Sequence, residues 1–115
     1  MHRRRVAAAV PDRGDIVWLQ VNPQAGHEQA GHRPALVLSP ANYNRLSGLM
    51  LCCTMTSQKK GYPFEVVIVD APDHASVVLA DQVKSLDWKV RKAVKKGAAP
   101  SAVIAETLSK LQALL

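Results

Sequence analysis

The hydrophobic pattern along the chain is mostly that of short β-strands. Five runs are either continuously apolar or alternate between apolar and polar positions, and turn residues separate them. They cover residues 15–21, 34–39, 48–57, 64–70 and 76–80. Several short strands at close intervals predict a small β-barrel or a tightly coiled sheet.

The pattern changes to a helical one at the C-terminal end. Between residues 101 and 115 the apolar side chains fall at helical spacing, and the Pro-Ser pair at 100–101 is a helix-start signal. Residues 40–47 read as a turn or a single helical turn, and residues 89–96 as an exposed strand or hairpin. The predicted fold class is therefore mainly β with a C-terminal α-helix, whose apolar stripe is formed by Ile104, Leu108, Leu111 and Leu115.

Length and composition favour one globular domain. The chain has 115 residues, of which 48% are apolar and 21% charged. We expect residues 1–115 to form this domain, with residues 1–9 as a basic, flexible extension. No apolar run approaches the ~20 residues of a membrane span, and the apolar stretch at 6–10 is short for a signal peptide, so we expect a cytoplasmic protein.

The charge balance predicts a polyanionic partner. The formal net charge is +6 and the sequence pI is about 9.7. Nucleic acid, an acidic protein segment and an anionic membrane surface all fit that charge. The lack of a long basic amphipathic helix in the sequence disfavours the membrane.

The two cysteines are adjacent, at Cys52 and Cys53, inside a predicted strand. Neighbouring strand side chains point to opposite faces, so a disulfide between them has poor geometry, and their spacing fits no metal motif. We predict two reduced, buried or half-buried thiols.

The loop at residues 22–34 is the strongest candidate for an anion site. It joins two predicted strands and contains two glycines, two histidines, Glu28 and Arg33, the last directly before Pro34. A guanidinium at the point where a loop enters a strand is fixed at its base and can grip a phosphate with two donors. The alternative is a surface hairpin loop with a solvated ion pair.

Two other segments carry polar side chains at predicted strand ends. Residues 56–62 offer the hydroxyls of Thr56 and Ser57, which could bind phosphate oxygens or only satisfy the backbone. At residues 80–85, Asp81 and Gln82 could read base edges, although a turn carboxylate is the simpler interpretation.

Residues from about 10 to 97 closely resemble the MazF/PemK-like family of toxin endoribonucleases. The matching blocks, in family order, are GDIVWLQ, GHEQAGHRPALVLSP, NYNRLSG, the Thr56-Ser57 pair, KGYPFEVV and LADQVKSLDW. The resemblance implies a small SH3-like β-barrel of the MazF/PemK/CcdB type, a homodimer, and sequence-specific cleavage of single-stranded RNA without a metal or cofactor. It also implies a partner, an antitoxin whose acidic tail covers the active site.

The resemblance also implies roles for individual residues. Arg33 corresponds to the catalytic arginine, Thr56 to the catalytic threonine, and Glu28 to the loop acid. The expected RNA contacts are His32, Ser57, Gln58, Lys59, Lys60, Gln82 and Lys84. Trp18, Trp88 and the apolar face of the last helix are open as dimer-interface residues.

Metal-free RNA cleavage uses the 2′-hydroxyl of the substrate as the nucleophile, which gives a 2′,3′-cyclic phosphate. Arg33 suits neutralisation of the phosphoryl charge, because a guanidinium almost never loses its proton. Thr56 would donate a hydrogen bond, and the general base stays open between Glu28, His27 and His32. The rival functions are a non-catalytic RNA-binding barrel and a gyrase poison of the same architecture.

Overall fold

The computed structural model describes residues 9–20, 32–69 and 77–115. These residues form a six-stranded sheet and two helices. In chain order the elements are β1 (Asp15–Gln20), β2 (His32–Val37), α1 (Ala41–Ser47), β3 (Leu49–Thr56), β4 (Glu65–Val67), β5 (Val77–Asp87), β6 (Val94–Ala98) and α2 (Ser101–Gln112).

The sheet is antiparallel throughout, with the strand order β4-β5-β3-β2-β1-β6. β4 and β6 are its two edges, and β2 and β3 lie at its centre. The prediction of a mainly β fold, built as a coiled sheet and closed by a C-terminal helix, is confirmed. Among the described residues, neither helix is long and apolar enough to cross a membrane.

Two separate apolar clusters cover the two faces of the sheet. Cys53 belongs to the cluster that packs beneath α2 with Val103, and Cys52 belongs to the cluster that contains Trp88. Both thiols are buried and free, as predicted. Burial raises the pKa of the Cys52 thiol to about 11 and that of the Cys53 thiol to about 12, so both stay protonated at neutral pH.

β5 is much longer than the sequence pattern predicts. Its N-terminal part pairs with β4 on one side and β3 on the other, and residues 83–87 pair with β3. Cys53 pairs with Val83 and Met55 with Val78, so residues 79–82 of β5 lie opposite Thr54 alone. A bulge of this kind bends a strand and increases its twist. Asp81 and Gln82 therefore lie inside β5 at a bend, and the prediction that a strand ends there is wrong.

α2 begins where the sequence predicts, with Pro100 at its N-cap. The predicted apolar stripe is correct for Leu108 and Leu111, which pack against the core, but Leu115 is 93% exposed. The buried positions of the helix are instead Val103 and Thr107. Thr107 tolerates burial because its hydroxyl donates to the Val103 carbonyl oxygen, 2.8 Å away.

α1 and the segment after β5 are more regular than predicted. α1 has seven residues rather than a single turn and ends at Gly48, which adopts the left-handed conformation (φ 76°). In the segment 89–96 a turn precedes β6, which pairs with β1.

Trp88 is buried in the monomer. It is only 3% exposed, and its Nε1 donates to the Asn44 carbonyl oxygen, so it stabilises the monomer and is unsuited to a dimer interface.

Candidate active site

A cleft of about 450 Å³ lies where β2, the end of β3 and the bend of β5 meet. It brings together side chains from three sequence segments that are far apart in the chain. Its lining residues are Arg33, Thr56, Gln58, Lys60, Tyr62, Glu65, Leu79 and Gln82.

The pairing of β2 with β3 explains why Arg33 and Thr56 meet. Ala35 of β2 is paired with Thr54 of β3, and the same register continued by two residues brings Arg33 level with Thr56. Opposed residues of an antiparallel pair project to the same face of the sheet. Arg33 is also paired with Leu19 of β1, so its backbone is held in a strand even though its side chain is exposed.

A backbone contact orients the Thr56 hydroxyl. The Gln58 N–H donates to Thr56 Oγ1 over 3.2 Å. A hydroxyl that accepts in this way keeps its own proton free to donate elsewhere. The arrangement suits a hydrogen bond from Thr56 to an oxygen atom of a group bound in the cleft.

Glu65 supports the loop that forms one wall of this cleft. Its carboxylate accepts from the backbone N–H groups of Lys60 (3.0 Å), Gly61 (3.0 Å) and Tyr62 (3.3 Å). Burial disfavours the charged carboxylate, but these three donors, with the nearby Lys59 ammonium, outweigh it and lower the pKa of Glu65 below its usual range. The loop is therefore built around a fixed anion.

A second cleft of about 390 Å³ continues from the first, since Arg33, Leu79 and Gln82 line both. It adds Lys84 of β5 and Arg91 to the positive charge along the groove. Thr54 Oγ1 lies 3.4 Å from Gln82 Oε1, a long contact in which the hydroxyl donates to the amide oxygen. The two clefts form one groove with cations at intervals along its length.

His32 is not brought to this groove. It follows the strand alternation and lines a different pocket, of about 400 Å³, with Trp18, Lys92, Val94 and Lys96. Its ring meets that of Trp18 edge to face, with centroids 6.0 Å apart. An RNA contact through His32 stays a prediction, but it would lie on the opposite side of β2 from Arg33.

The other predicted site residues divide into two groups. Gln58, Lys60, Gln82 and Lys84 all line the groove. Ser57 and Lys59 are exposed on the loop after β3 but do not line either cleft. Glu28 and His27, the proposed loop acid and the alternative base, lie outside the described residues.

The sequence does not single out several residues that line the groove, chiefly Thr54, Tyr62, Glu65, Leu79 and Arg91. A site role for Glu65 is not predicted, because Glu65 stands at the start of an apolar, β-branched run. A single acidic residue in such a run is typical of a side chain on the solvent-exposed face of a strand. Within the described ranges, no three His, Cys, Asp or Glu side chains are grouped so that they could hold a metal ion.

Comparison with known proteins agrees with this architecture. Residues 12–115 match the family described as PemK-like, MazF-like toxin of type II toxin-antitoxin system. The endoribonuclease toxin MazF of Escherichia coli strain K12 is 54% identical over 92 residues, which cover 80% of this chain and 82% of that protein.

Solved structures show the same fold. The crystal structure of MazF from Deinococcus radiodurans superimposes with a TM-score of 0.81 at 55% identity, over 92% of this chain and 96% of that one. A chain from the MazE-MazF structure of the same organism gives a TM-score of 0.83 at 52% identity, with the same two coverages. A small coiled β-sheet with a C-terminal helix is thus the MazF fold, as predicted. The chain belongs to the PemK-like, MazF-like family of type II toxins.

Proposed function

We propose that this protein cleaves single-stranded RNA in the groove, at a phosphodiester held between Arg33 and Thr56. The chain is a MazF-like toxin endoribonuclease of a toxin–antitoxin system. The observation that carries the proposed mechanism is the position of the guanidinium and the hydroxyl on one wall of one cleft, on paired strands.

The chemistry needs little from the protein beyond orientation and charge. The 2′-hydroxyl attacks the adjacent phosphorus in line, the 5′-oxygen leaves, and the products are a 2′,3′-cyclic phosphate and a 5′-hydroxyl. Because the attack is intramolecular, holding the strand in line supplies much of the acceleration. No metal is required for this route.

Arg33 neutralises the charge that develops on the phosphoryl oxygens, and the Thr56 hydroxyl donates to the same group. Clamps and donors of this kind contribute on the order of 10²–10⁵ in rate. Gln58, Lys60, Gln82 and Lys84 bind the strand on either side of the scissile group. Cleavage at short sequences of mRNA in the cytoplasm would stop translation and growth.

The partner of the toxin is a cognate antitoxin that carries an acidic C-terminal segment. The related MazF of Deinococcus radiodurans is found in MazE-MazF structures. The net charge of +6 and the cations Lys84 and Arg91 along the groove favour an acidic segment here. Such a segment would compete with RNA for the same surface.

We place the homodimer contact on the exposed apolar side chains of α1 and β3 rather than on α2. Leu46 is 83% exposed and Leu51 is 41% exposed, while the apolar positions of α2 are used against the sheet. Large apolar side chains that stay exposed on neighbouring elements favour an interface there.

The proposed reaction is tested by incubating the purified protein with a long single-stranded RNA and a chelator. We expect discrete fragments whose 3′ ends carry a cyclic phosphate and whose 5′ ends are hydroxyls. Loss of cleavage on chelation would contradict the metal-free route. RNA that is bound but intact would favour the non-catalytic barrel, and inhibition of gyrase with intact RNA would favour the gyrase poison.

A further inference from the structure

We propose that Glu65 is a positioning residue of this active site, which holds the loop of residues 58–62 so that Gln58 and Lys60 line the same cleft as Arg33. The inference rests on the proposed RNA cleavage and adds a residue to its machinery. Glu65 does not act on the phosphate itself.

The contacts of the Glu65 carboxylate are those of an internal anchor. Oε1 accepts from Gly61 N–H at 3.0 Å and from Tyr62 N–H at 3.3 Å, and both oxygens accept from Lys60 N–H, at 3.2 and 3.0 Å. Three successive backbone donors thus converge on one side chain that is only 8% exposed. Hydrogen bonds to a charged acceptor are roughly twice as strong as neutral ones, so this loop is held more firmly than its exposure suggests.

The backbone of the loop needs such an anchor. Gly61 adopts the left-handed conformation, with φ of 78°, and lies at the surface. At its other end the loop is fixed by the Gln58 N–H on the Thr56 hydroxyl. Glu65 and Thr56 therefore hold the two ends of the segment that carries Gln58 and Lys60.

The anchor is itself fixed by α2. Lys110 Nζ donates to the Glu65 carbonyl oxygen over 2.9 Å and pairs with Glu106 at 3.2 Å. Glu65 is also paired with Leu79 at the bend of β5, and Leu79 lines both clefts. Glu65 thus contacts the loop through its carboxylate, α2 through its carbonyl oxygen, and the bend of β5 through its strand pairing.

A catalytic-base role for Glu65 fits these contacts less well. Its oxygens are already occupied by loop N–H groups, and the same donors lower its pKa, so the carboxylate stays charged and a weak base. Positioning has a different benefit. When RNA binds, the loop backbone and long side chains such as that of Lys60 lose conformational entropy. A backbone that is already fixed by Glu65 lowers this entropic cost of binding.

The test is steady-state cleavage of a short RNA by the wild type, Glu65→Gln, Lys60→Ala and the double variant. Glu65→Gln keeps the volume and one acceptor oxygen but loses the charge. We expect roughly a tenfold rise in KM with kcat changed by less than about threefold, because binding geometry and not chemistry is lost. The matched control is Asp12→Asn, which makes the same kind of change at a carboxylate that also accepts from backbone N–H groups, those of Arg13 and Ala41, but lines neither cleft of the groove. It should leave both constants unchanged.

The double variant separates positioning from a general loss of stability. If Glu65 acts in part through Lys60, the two changes are coupled, and the KM of the double variant should rise by clearly less than the product of the two single-variant rises. Additive effects on KM would overturn the proposal, as would wild-type constants in Glu65→Gln. A fall in kcat with unchanged KM and a flattened acidic limb of the pH profile would assign catalysis to Glu65 and overturn positioning.

Amide hydrogen exchange of the wild type tests the anchor without any activity. The exchange rates of the Lys60, Gly61 and Tyr62 amides should be lower than those of an unstructured peptide by a factor of roughly ten or more, although these residues lie at the surface. Unprotected amides would overturn the proposal even if Glu65→Gln fails to fold. If the wild type leaves RNA intact while these amides are protected, the proposed function fails and the anchor stands.

Discussion

Arg33 and Thr56 show how backbone context brings two ordinary side chains to one cleft. Arg33 is held by its pairing with Leu19 and is followed by Pro34, whose ring fixes φ. Thr56 is the last residue of β3, and its hydroxyl is oriented by Gln58. Each side chain therefore leaves a fixed backbone and reaches into the cleft.

Replacing Arg33 by Ala should lower cleavage by a factor of at least about 10², since the charge that stabilises the phosphoryl oxygens is lost. The measurement is kcat/KM on a short RNA, with circular dichroism and thermal unfolding to show that the fold is kept. Arg45→Ala is the matched control, because Arg45 is exposed on α1, lines neither cleft and donates to the side chain of the nearby Asn42. Equal activity in the two variants would remove Arg33 from the mechanism.

For single residues, the sequence predicts that Arg33 and Thr56 belong to the candidate site, and both line the cleft, but it does not predict Glu65. Arg33 and Thr56 stand in short motifs with a recognisable order, so their roles are carried by resemblance. Glu65 has no such signal, because its partners are backbone N–H groups, which look the same in every sequence. His32 shows the converse, since its neighbour Arg33 lines the groove while strand alternation turns His32 away from it.

Among the elements, β1 to β4 and α2 could be predicted because each buries apolar side chains in a run or at a regular spacing. The full length of β5 could not. Its middle is bent and its C-terminal half is exposed, so residues 83–85 lack a regular apolar pattern although they are paired with β3. The bend is nevertheless what brings Leu79 and Gln82 into the groove.

The contact between α2 and the start of β1 gives a test of packing. Gly14 has a φ of 94°, and a Cβ built there would lie 2.8 Å from Ile104 Cδ1. Gly14→Ala must therefore accept a left-handed backbone, at about 1–2 kcal/mol, and in addition a shift of the Ile104 δ-methyl group, which costs less because it lies at the end of a flexible side chain. We expect a fall in Tm of several degrees.

Gly48→Ala is the control for this test. Gly48 also has a positive φ, of 76°, but a Cβ there meets nothing within 4 Å. Gly48→Ala should therefore be destabilised only by the left-handed backbone, without a side-chain clash. Its Tm should lie between those of Gly14→Ala and the wild type. Equal Tm values for the two variants would show that the Ile104 contact is unimportant.

For the whole molecule, the exposed apolar side chains of α1 and β3 predict association. Leu51→Lys should shift the molecular mass measured by light scattering toward that of a monomer, because a buried ammonium in an interface is costly. The secondary structure should be unchanged, since Leu51 is already 41% exposed. Leu115→Lys, at the exposed end of the chain, serves as the control and should keep the wild-type mass.

The adjacent cysteines have a practical consequence. Since Cys52 and Cys53 belong to different apolar layers and both carry raised pKa values, a thiol reagent at neutral pH can reach each one only when its own layer opens. The labelling rates of these two neighbouring residues thus report separately on the local opening of the two apolar clusters. Labelling rates of the single-cysteine variants would reveal which side of the protein loosens first when heat or denaturant begins to unfold it.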